Sequence, residues 1–289
     1  MSTASVFGAA LGASVALAAA ALAAPKEAAV VAAPWLELAN ARVRLIAGPP
    51  ARAADTYLAG VELVLADGWK TYWRMPGDAG VPPNFDWSGS RNVAAVAALY
   101  PAPIRLVDPA ATSIGYKGSV IFPVAVAARA ADQSVVLELE LAFGVCRDIC
   151  IPAEAKLALT IPPTAAAGIP SAALRAALAR VPRPAAARRA GDPEVTRVIA
   201  RLSDPAPHLI VAARFPRGST GADLFIETAS AAEDVYLPLP RRLPDEPDGT
   251  ARFEVDLSRV ANLQALQGKA LRLTLVSEAA ASEVEWTVP

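Results

Sequence analysis

Cys146 and Cys150 are the residues whose type and spacing predict covalent chemistry. They are the only cysteines among 289 residues and stand four positions apart in the segment FGVCRDICIPAE. In a fully extended chain their Cα atoms would lie about 13 Å apart, whereas a disulfide requires roughly 4.4 to 6.8 Å. The chain must therefore turn at Arg147-Asp148 for the sulfurs to bond. The β-rich flanks favour a tight turn or bulge between two strands over one turn of helix.

Three interpretations of this pair are open: a disulfide that exchanges with a partner, a structural staple, and a dithiolate site for Cu(I). A loop of about five residues contributes only about 2 kcal/mol when a disulfide closes it, against about 3 kcal/mol for fifteen residues. Short loops also tend to be strained, which makes the bond easier to reduce. A copper site would need further soft ligands, and Met75 is the only other one expected in the mature chain. The small entropic gain and the strain argue against a purely structural role, and no metal site is expected.

The N-terminus predicts export. Phe7 to Ala24 is apolar and uncharged and contains the small-x-small pattern Ala21-Leu22-Ala23, which is typical of a signal-peptide cleavage site. The lack of Lys and Arg before it departs from the usual pattern, so a membrane-retained anchor is the alternative. We expect residues 1–24 to be a signal peptide and the mature chain to be soluble in the periplasm, where two cysteines can pair.

Composition excludes several classes of function. The 27 basic residues nearly balance the 28 acidic ones, so no field attracts nucleic acid. His208 is the only histidine, which argues against multi-histidine metal sites and histidine-assisted nucleophiles. We expect His208 to face solvent at the start of a strand, and we expect no cofactor.

The remaining sequence predicts an all-β protein of two β-sandwich domains joined by a Pro/Ala-rich linker. Residues 35–161 contain short β-rich runs separated by Gly, Pro, Asn and Asp, which is typical of a sandwich. Breakers between Pro76 and Ser90 predict a long irregular insert. The predicted strands are Ala41–Ile46, Tyr57–Leu65, Val93–Tyr100, Val120–Ala127, Val135–Phe143 and Lys156–Ile161.

Residues 162–192 predict the linker. Prolines bracket the alanine-rich run Ser171–Arg180, which predicts one short helix in a segment with little else to bury. Residues 193–289 predict the second sandwich, which has no cysteine and begins with a short helix at Glu194–Ala200. Its predicted strands are Leu209–Phe215, Asp223–Thr228, Val235–Leu239, Ala251–Leu257, Leu271–Val276 and Glu283–Val288.

Four motifs in the first domain occur in an order that is specific. They are GWKTYWRMPGDAG at Gly68–Gly80, FDWSGS at Phe85–Ser90, TSIGY at Thr112–Tyr116 and CRDICIPAE at Cys146–Glu154. Together they resemble the periplasmic N-terminal region of the ScsB branch of the DsbD thiol:disulfide interchange family, over roughly Trp35 to Ile161. Weaker motifs in residues 223–240 resemble the second sandwich of the same region.

The resemblance implies an immunoglobulin-like fold and a dithiol-disulfide relay through Cys146 and Cys150. In this family the N-terminal domain passes electrons from a transmembrane domain to periplasmic thioredoxin-fold partners, and the ScsB branch is linked to copper tolerance. By the same resemblance Cys150 is the attacking cysteine and Cys146 the resolving one. The sequence ends at Pro289 without the transmembrane and thioredoxin-like domains, so we expect a separate membrane electron donor. A redox-inert adaptor with a structural disulfide is the competing function.

Residues of the same motifs are candidates for binding the partner. These candidates are Trp69, Tyr72, Trp73, Asp78 and Tyr116. One hypothesis places the segment Trp69–Gly80 close to the cysteines, where it would shield them from wrong partners. Core packing is the competing interpretation for the aromatic residues, including Phe85 and Trp87. Asp78 and Asp86 could handle protons near the pair, although ordinary turn carboxylates are the simpler interpretation.

Overall fold

The computed structural model describes residues 31–50, 56–109, 111–163, 171–229, 235–260 and 262–289. The predicted signal peptide, residues 1–24, lies outside these ranges. Within them nearly all regular structure is β-strand, arranged in four sheets, which confirms the predicted all-β class. No helix of the described residues has the length and apolar character needed to cross a membrane.

The first half of the chain forms two six-stranded sheets. Its strands are β1 (Val31–Ala32), β2 (Leu36–Glu37), β3 (Ala41–Pro50), β4 (Thr56–Leu65), β5 (Lys70–Gly77), β6 (Asn84–Asp86), β7 (Val93–Ala98), β8 (Ile104–Val107), β9 (Thr112–Lys117), β10 (Ser119–Ala128), β11 (Val135–Cys146) and β12 (Cys150–Ile161). One sheet has the order β1-β3-β4-β10-β7, with β2 paired to β3. The other has the order β12-β11-β5-β9-β8, with β6 paired to β11.

Strand β11 shows how the sequence specifies the first sandwich. Leu137, Leu139 and Leu141 point into the core and are almost fully buried, whereas the intervening Glu138 and Glu140 keep contact with solvent. This period of two is what a half-buried strand requires, and each buried leucine contributes about 1.5 to 3 kcal/mol. From residue 143 to residue 146 the alternation stops and every residue is buried. Both faces of the sheet are therefore covered where the first cysteine lies.

Six of the described strands of this sandwich lie outside the predicted set: β1, β2, β5, β6, β8 and β9. The expected irregular insert between Pro76 and Ser90 is shorter than predicted, because β5 extends to Gly77 and β6 adds a short strand. Strand β5 was not predicted from the sequence. Its first four residues are all buried, so they show no alternation of polar and apolar side chains.

The predicted helix is present as α1 (Ala172–Ala179), and the Ser171 hydroxyl accepts a hydrogen bond from the Leu174 amide as its N-cap. Leu174 is fully buried, and the missing side chain of Gly60 leaves the space that it occupies. The helix thus packs on the outside of strands β4 and β10. The expectation that the linker has little to bury is wrong for this helix.

The second half forms two four-stranded sheets, with the orders β13-β20-β19-β16 and β14-β15-β18-β17. Their strands are β13 (Arg183–Pro184), β14 (Glu194–Arg201), β15 (His208–Arg214), β16 (Asp223–Thr228), β17 (Arg241–Leu243), β18 (Ala251–Asp256), β19 (Ala270–Val276) and β20 (Ala281–Thr287). Strand β13 comes from the segment predicted as linker, and His208 begins β15 as predicted.

Two predicted elements of the second half are wrong. Glu194–Arg201 is a strand and not a helix, because it pairs along its length with β15 and its β-branched residues suit a pleated surface. Val235–Leu239 forms no strand. Pro238 has no amide hydrogen to donate to a ladder, and the chain pairs instead at β17.

The two sandwiches meet through strands β5 and β8. Trp73 of β5 packs against Phe225, with ring centroids 5.7 Å apart. Arg74 donates to Glu227 at 2.7 Å and to Glu283 at 2.9 Å. Arg105 of β8 forms a bidentate pair with Asp223 at 2.7 and 2.8 Å. This junction is rich in charge pairs with limited exposure to solvent.

Candidate functional site

The two cysteines face each other at the tip of the hairpin that joins β11 to β12. Cys146 is the last residue of β11, Cys150 the first of β12, and they are direct register partners. Their Cα atoms are 4.2 Å apart and their sulfurs form a disulfide. The intervening turn, Arg147 to Ile149, confirms the predicted tight turn between two strands.

The two sulfurs differ in environment. Cys146 is 1% exposed, because the end of β11 is covered on both faces. Cys150 is exposed at the start of β12. A thiolate from outside can approach a disulfide only along an open path to the sulfur that it attacks. In this fold, Cys150 is therefore the more accessible of the two cysteines to an external thiolate.

Tyr72 of β5 contacts the exposed cysteine. Its hydroxyl lies 3.1 Å from Cys150 Sγ. Burial, and secondly the negative charge of Asp108, raises the pKa of Tyr72, so the phenol remains a hydrogen-bond donor. The ring fits because two neighbouring residues are glycines: a Cβ on Gly144 would lie 3.2 Å from the ring, and one on Gly80 would lie 2.3 Å from it.

Lys70 lies beside the buried cysteine. It is the register partner of Cys146 on β5, and it is 9% exposed. Its ammonium donates to the Asp108 carboxylate and, at 2.9 Å, to the Ser113 hydroxyl. The Lys70 hydrogen bond lowers the pKa of Asp108. A buried ammonium needs such acceptors, because its desolvation is otherwise costly.

The rim of the site is partly apolar. Ile149 in the turn is 67% exposed. Trp69 is half-buried and lies under the Arg147 guanidinium, which is 5.5 Å from the ring centroid. Arg147 also pairs with Asp148 at 3.0 Å. Val81 is exposed, and its carbonyl accepts a hydrogen bond from the amide of Gly144. Exposed apolar side chains beside a disulfide are a feature that suits docking of another protein.

Of the five partner-binding candidates, the structure brings Trp69 and Tyr72 to the cysteine hairpin. Trp73 packs at the junction with the second sandwich. Asp78 accepts hydrogen bonds from the Tyr236 hydroxyl at 2.7 Å and from the Thr112 amide at 3.1 Å. Tyr116 is buried in the core, and its hydroxyl donates to the Pro101 carbonyl. The last three are thus engaged in packing or in contacts elsewhere.

The remaining candidate residues lie in the core or in a turn. Phe85 and Trp87 belong to the core of the first sandwich or pack against it, as does Met75. Asp86 accepts a hydrogen bond from the Ser88 amide, which lowers its pKa and marks an ordinary turn carboxylate. The described residues contain no group of three or more His, Cys, Asp or Glu side chains that could hold a metal ion.

Comparisons with known proteins agree with this architecture. Residues 42–162 match the family model described as the N-terminal domain of the thiol:disulfide interchange protein DsbD. This segment, which forms most of the first sandwich, is similar to that family. The crystal structure of the N-terminal periplasmic domain of ScsB from Proteus mirabilis matches with a TM-score of 0.66 and 22% sequence identity, over 90% of this chain and 99% of that chain. A search of curated proteins finds no match.

The match to ScsB extends the likeness beyond the DsbD N-terminal domain. Because it covers 90% of this chain, it includes the second sandwich as well as the first. At this level of identity the likeness concerns the fold, which is all-β and immunoglobulin-like in the DsbD N-terminal domain.

Prediction from the sequence did not identify several residues of the site, namely Lys70, Asp108, Ser113 and the glycines around Tyr72. Lys70 and Tyr72 lie within a quoted motif and are two residues apart, the spacing that places side chains on one face of a strand. Recognition of β5 as a strand would have shown that they share a face. Nothing local to residues 108 and 113 could have placed them beside Lys70, because β8 and β9 reach it only through sheet pairing.

Proposed function

We propose that the protein is a periplasmic thiol-disulfide exchange protein that relays electrons through Cys146 and Cys150. The observation that carries this proposal is the asymmetry of the pair: Cys150 is exposed at a hairpin tip and Cys146 is buried. A relay requires an open sulfur for attack and a protected one for resolution. A staple has no need of an exposed sulfur.

The exchange proceeds in two thiol-disulfide steps. In the reducing direction, a thiolate of the donor bonds to Cys150 Sγ, the bond to Cys146 breaks, and the electron pair passes to Cys146 Sγ. A second donor thiolate then attacks the mixed disulfide and releases Cys150. In the reverse direction, Cys150 attacks the partner disulfide and Cys146 resolves the mixed disulfide. The Tyr72 hydroxyl can donate a hydrogen bond to Cys150 Sγ while it carries charge.

The proposed partner is a periplasmic thioredoxin-fold protein, and the proposed source of electrons is a membrane protein. The name of the matched family supports disulfide interchange as the chemistry, and the name of the matched structure supports the periplasm as the compartment. The exposed apolar side chain of Ile149 and the Trp69-Arg147 stack would form the docking surface. A role in copper tolerance rests on the resemblance alone.

Trapping of a mixed disulfide tests the proposal. A Cys146→Ala variant keeps the exposed Cys150 and lacks the resolving thiol, so it should accumulate disulfide-linked complexes with a thioredoxin-fold protein in the periplasm. The matched control is Cys150→Ala, whose remaining sulfur is buried and should trap far less. If neither variant yields a mixed disulfide, and the reduction potential of the pair is below about −300 mV, the bond is a staple and the adaptor function stands instead.

A further inference from the structure

Four residues form a row across the second sheet of the first sandwich. Cys150, Cys146, Lys70 and Lys117 are successive register partners on β12, β11, β5 and β9. Direct partners in an antiparallel ladder project from the same face, with Cβ atoms about 4.5 to 5.5 Å apart. Lys70 therefore leaves the sheet beside Cys146, on the face that carries the disulfide.

Among the described residues, the hydrogen-bond acceptors around the buried Lys70 ammonium are fewer than its donors. An ammonium has three N–H donors, and in the described part of the chain Asp108 and Ser113 accept hydrogen bonds from it. The Asp108 side chain is 43% exposed, so water can solvate this carboxylate if another anion competes for Lys70. The buried sulfur of Cys146 becomes such an anion when the disulfide opens.

We propose that Lys70 stabilises the thiolate of Cys146, which deepens the exchange function proposed above and rests on it. When an external thiolate bonds to Cys150 Sγ, the bond to Cys146 breaks and its electron pair remains on Cys146 Sγ. No proton is transferred in this step, and the Lys70 ammonium keeps its three protons. A buried thiolate has a raised pKa unless a positive charge is near, and a leaving thiol of lower pKa leaves faster.

Among the described charged side chains around this row of residues, Lys70 is the one placed to stabilise the Cys146 thiolate. Arg147 and Asp148 in the turn pair with each other and are exposed. Lys117 is exposed at the far end of the row. Asp108 opposes Lys70, and its charge reaches the site, since it contributes to the raised pKa of Tyr72. Removal of Lys70 and removal of the Asp108 charge must therefore act in opposite directions.

Two measurements on the purified mature protein test the proposal. The first is the rate at which excess dithiothreitol reduces the disulfide. The second is the pKa of Cys146 in a Cys150→Ser background, followed by the ultraviolet absorbance of the thiolate. For Lys70→Met we expect the pKa of Cys146 to rise by about 1 and reduction to slow about threefold. Lys70→Arg should keep most of the wild-type rate, since it keeps the charge.

The variant Asp108→Asn tests the opposite change, because it removes a negative charge near Cys146. It stays informative if Lys70→Met does not fold. It should lower the pKa of Cys146 and speed reduction by dithiothreitol about twofold. The matched control is Lys156→Met, which removes the same charge from an exposed lysine paired with Glu140 on the same sheet. It should change neither quantity.

The outcomes separate this proposal from the exchange function. Dithiothreitol needs no docking surface, so its rate reports on the leaving sulfur whether or not a protein partner exists. A shifted pKa without any trapped partner would retain the role of Lys70 and remove the relay. An unchanged pKa in Lys70→Met, or a shift of the same sign in Asp108→Asn, would overturn the role of Lys70 and leave the relay standing.

Discussion

Strand β5 meets different parts of the molecule at its two ends. Near its start Thr71 donates a hydrogen bond to the Gly144 carbonyl at 2.9 Å and Tyr72 reaches Cys150. Further along, Trp73 packs on Phe225, and the Arg74 guanidinium lies over the Trp73 ring and pairs with two glutamates of the second sandwich. One end therefore supports chemistry and the other supports assembly.

The two ends differ in how far their side chains are exposed to solvent. At the cysteine end the turn from Arg147 to Ile149 and the second cysteine are exposed to solvent. At the junction the charges are satisfied within the chain, and the side chains of Arg74, Glu227 and Glu283 are about one-fifth exposed. The register of β5 against β9 shifts between Tyr72 and Gly77, the stretch that contains Trp73 and Arg74. We expect them to respond independently to mutation.

The largest effect should come from removal of the disulfide at the cysteine end. A Cys146→Ser/Cys150→Ser variant should lose all exchange with a thioredoxin-fold substrate, yet remain folded. A five-residue loop contributes about 2 kcal/mol, which corresponds to about 7 °C in the melting temperature of a domain of this size. Calorimetry with and without a strong reductant measures this shift. Outright unfolding of the first sandwich on reduction would identify the bond as a staple.

The next effect concerns the junction end. Arg74→Ala leaves Glu227 and Glu283 without their shared guanidinium and should lower the free energy of unfolding by about 2 kcal/mol. The control Arg241→Ala breaks an exposed pair with Glu254 and should cost less than about 0.5 kcal/mol. Denaturant titration measures both. If the ends are independent, Arg74→Ala reduces with dithiothreitol at the wild-type rate, and a large change in that rate would contradict the separation.

The smallest effect tests the hydroxyl at the cysteine end. Tyr72→Phe removes the hydrogen bond to Cys150 and should slow exchange with the partner about fivefold, the equivalent of one hydrogen bond of about 1 kcal/mol. Tyr116→Phe is the control, because its hydroxyl bonds to a backbone carbonyl in the core. It should lower stability by a similar amount and leave the exchange rate unchanged. Equal rates for Tyr72→Phe and wild type would remove Tyr72 from the mechanism.

Prediction from the sequence succeeded where the signal is local. Val135–Phe143 was predicted as a strand and lies within β11, and the serine before an alanine-rich run predicted the start of α1 at its N-cap. It failed where sheet pairing overrides local preference. Glu194–Arg201 is a strand because β15 offers a partner ladder, and Lys70–Gly77 was missed because its first four residues are all buried.

The sequence by itself determined that the protein has one cysteine pair and that the chain must turn between the two residues, because four positions of extended chain are too long for a disulfide. Only the tertiary structure decided which sulfur is buried and which side chains surround it. Lys70 and Tyr72 precede Cys146 by more than seventy residues, and they reach it through the register of β5 against β11. Such a register depends on the packing of whole sheets, which no local pattern of residues encodes.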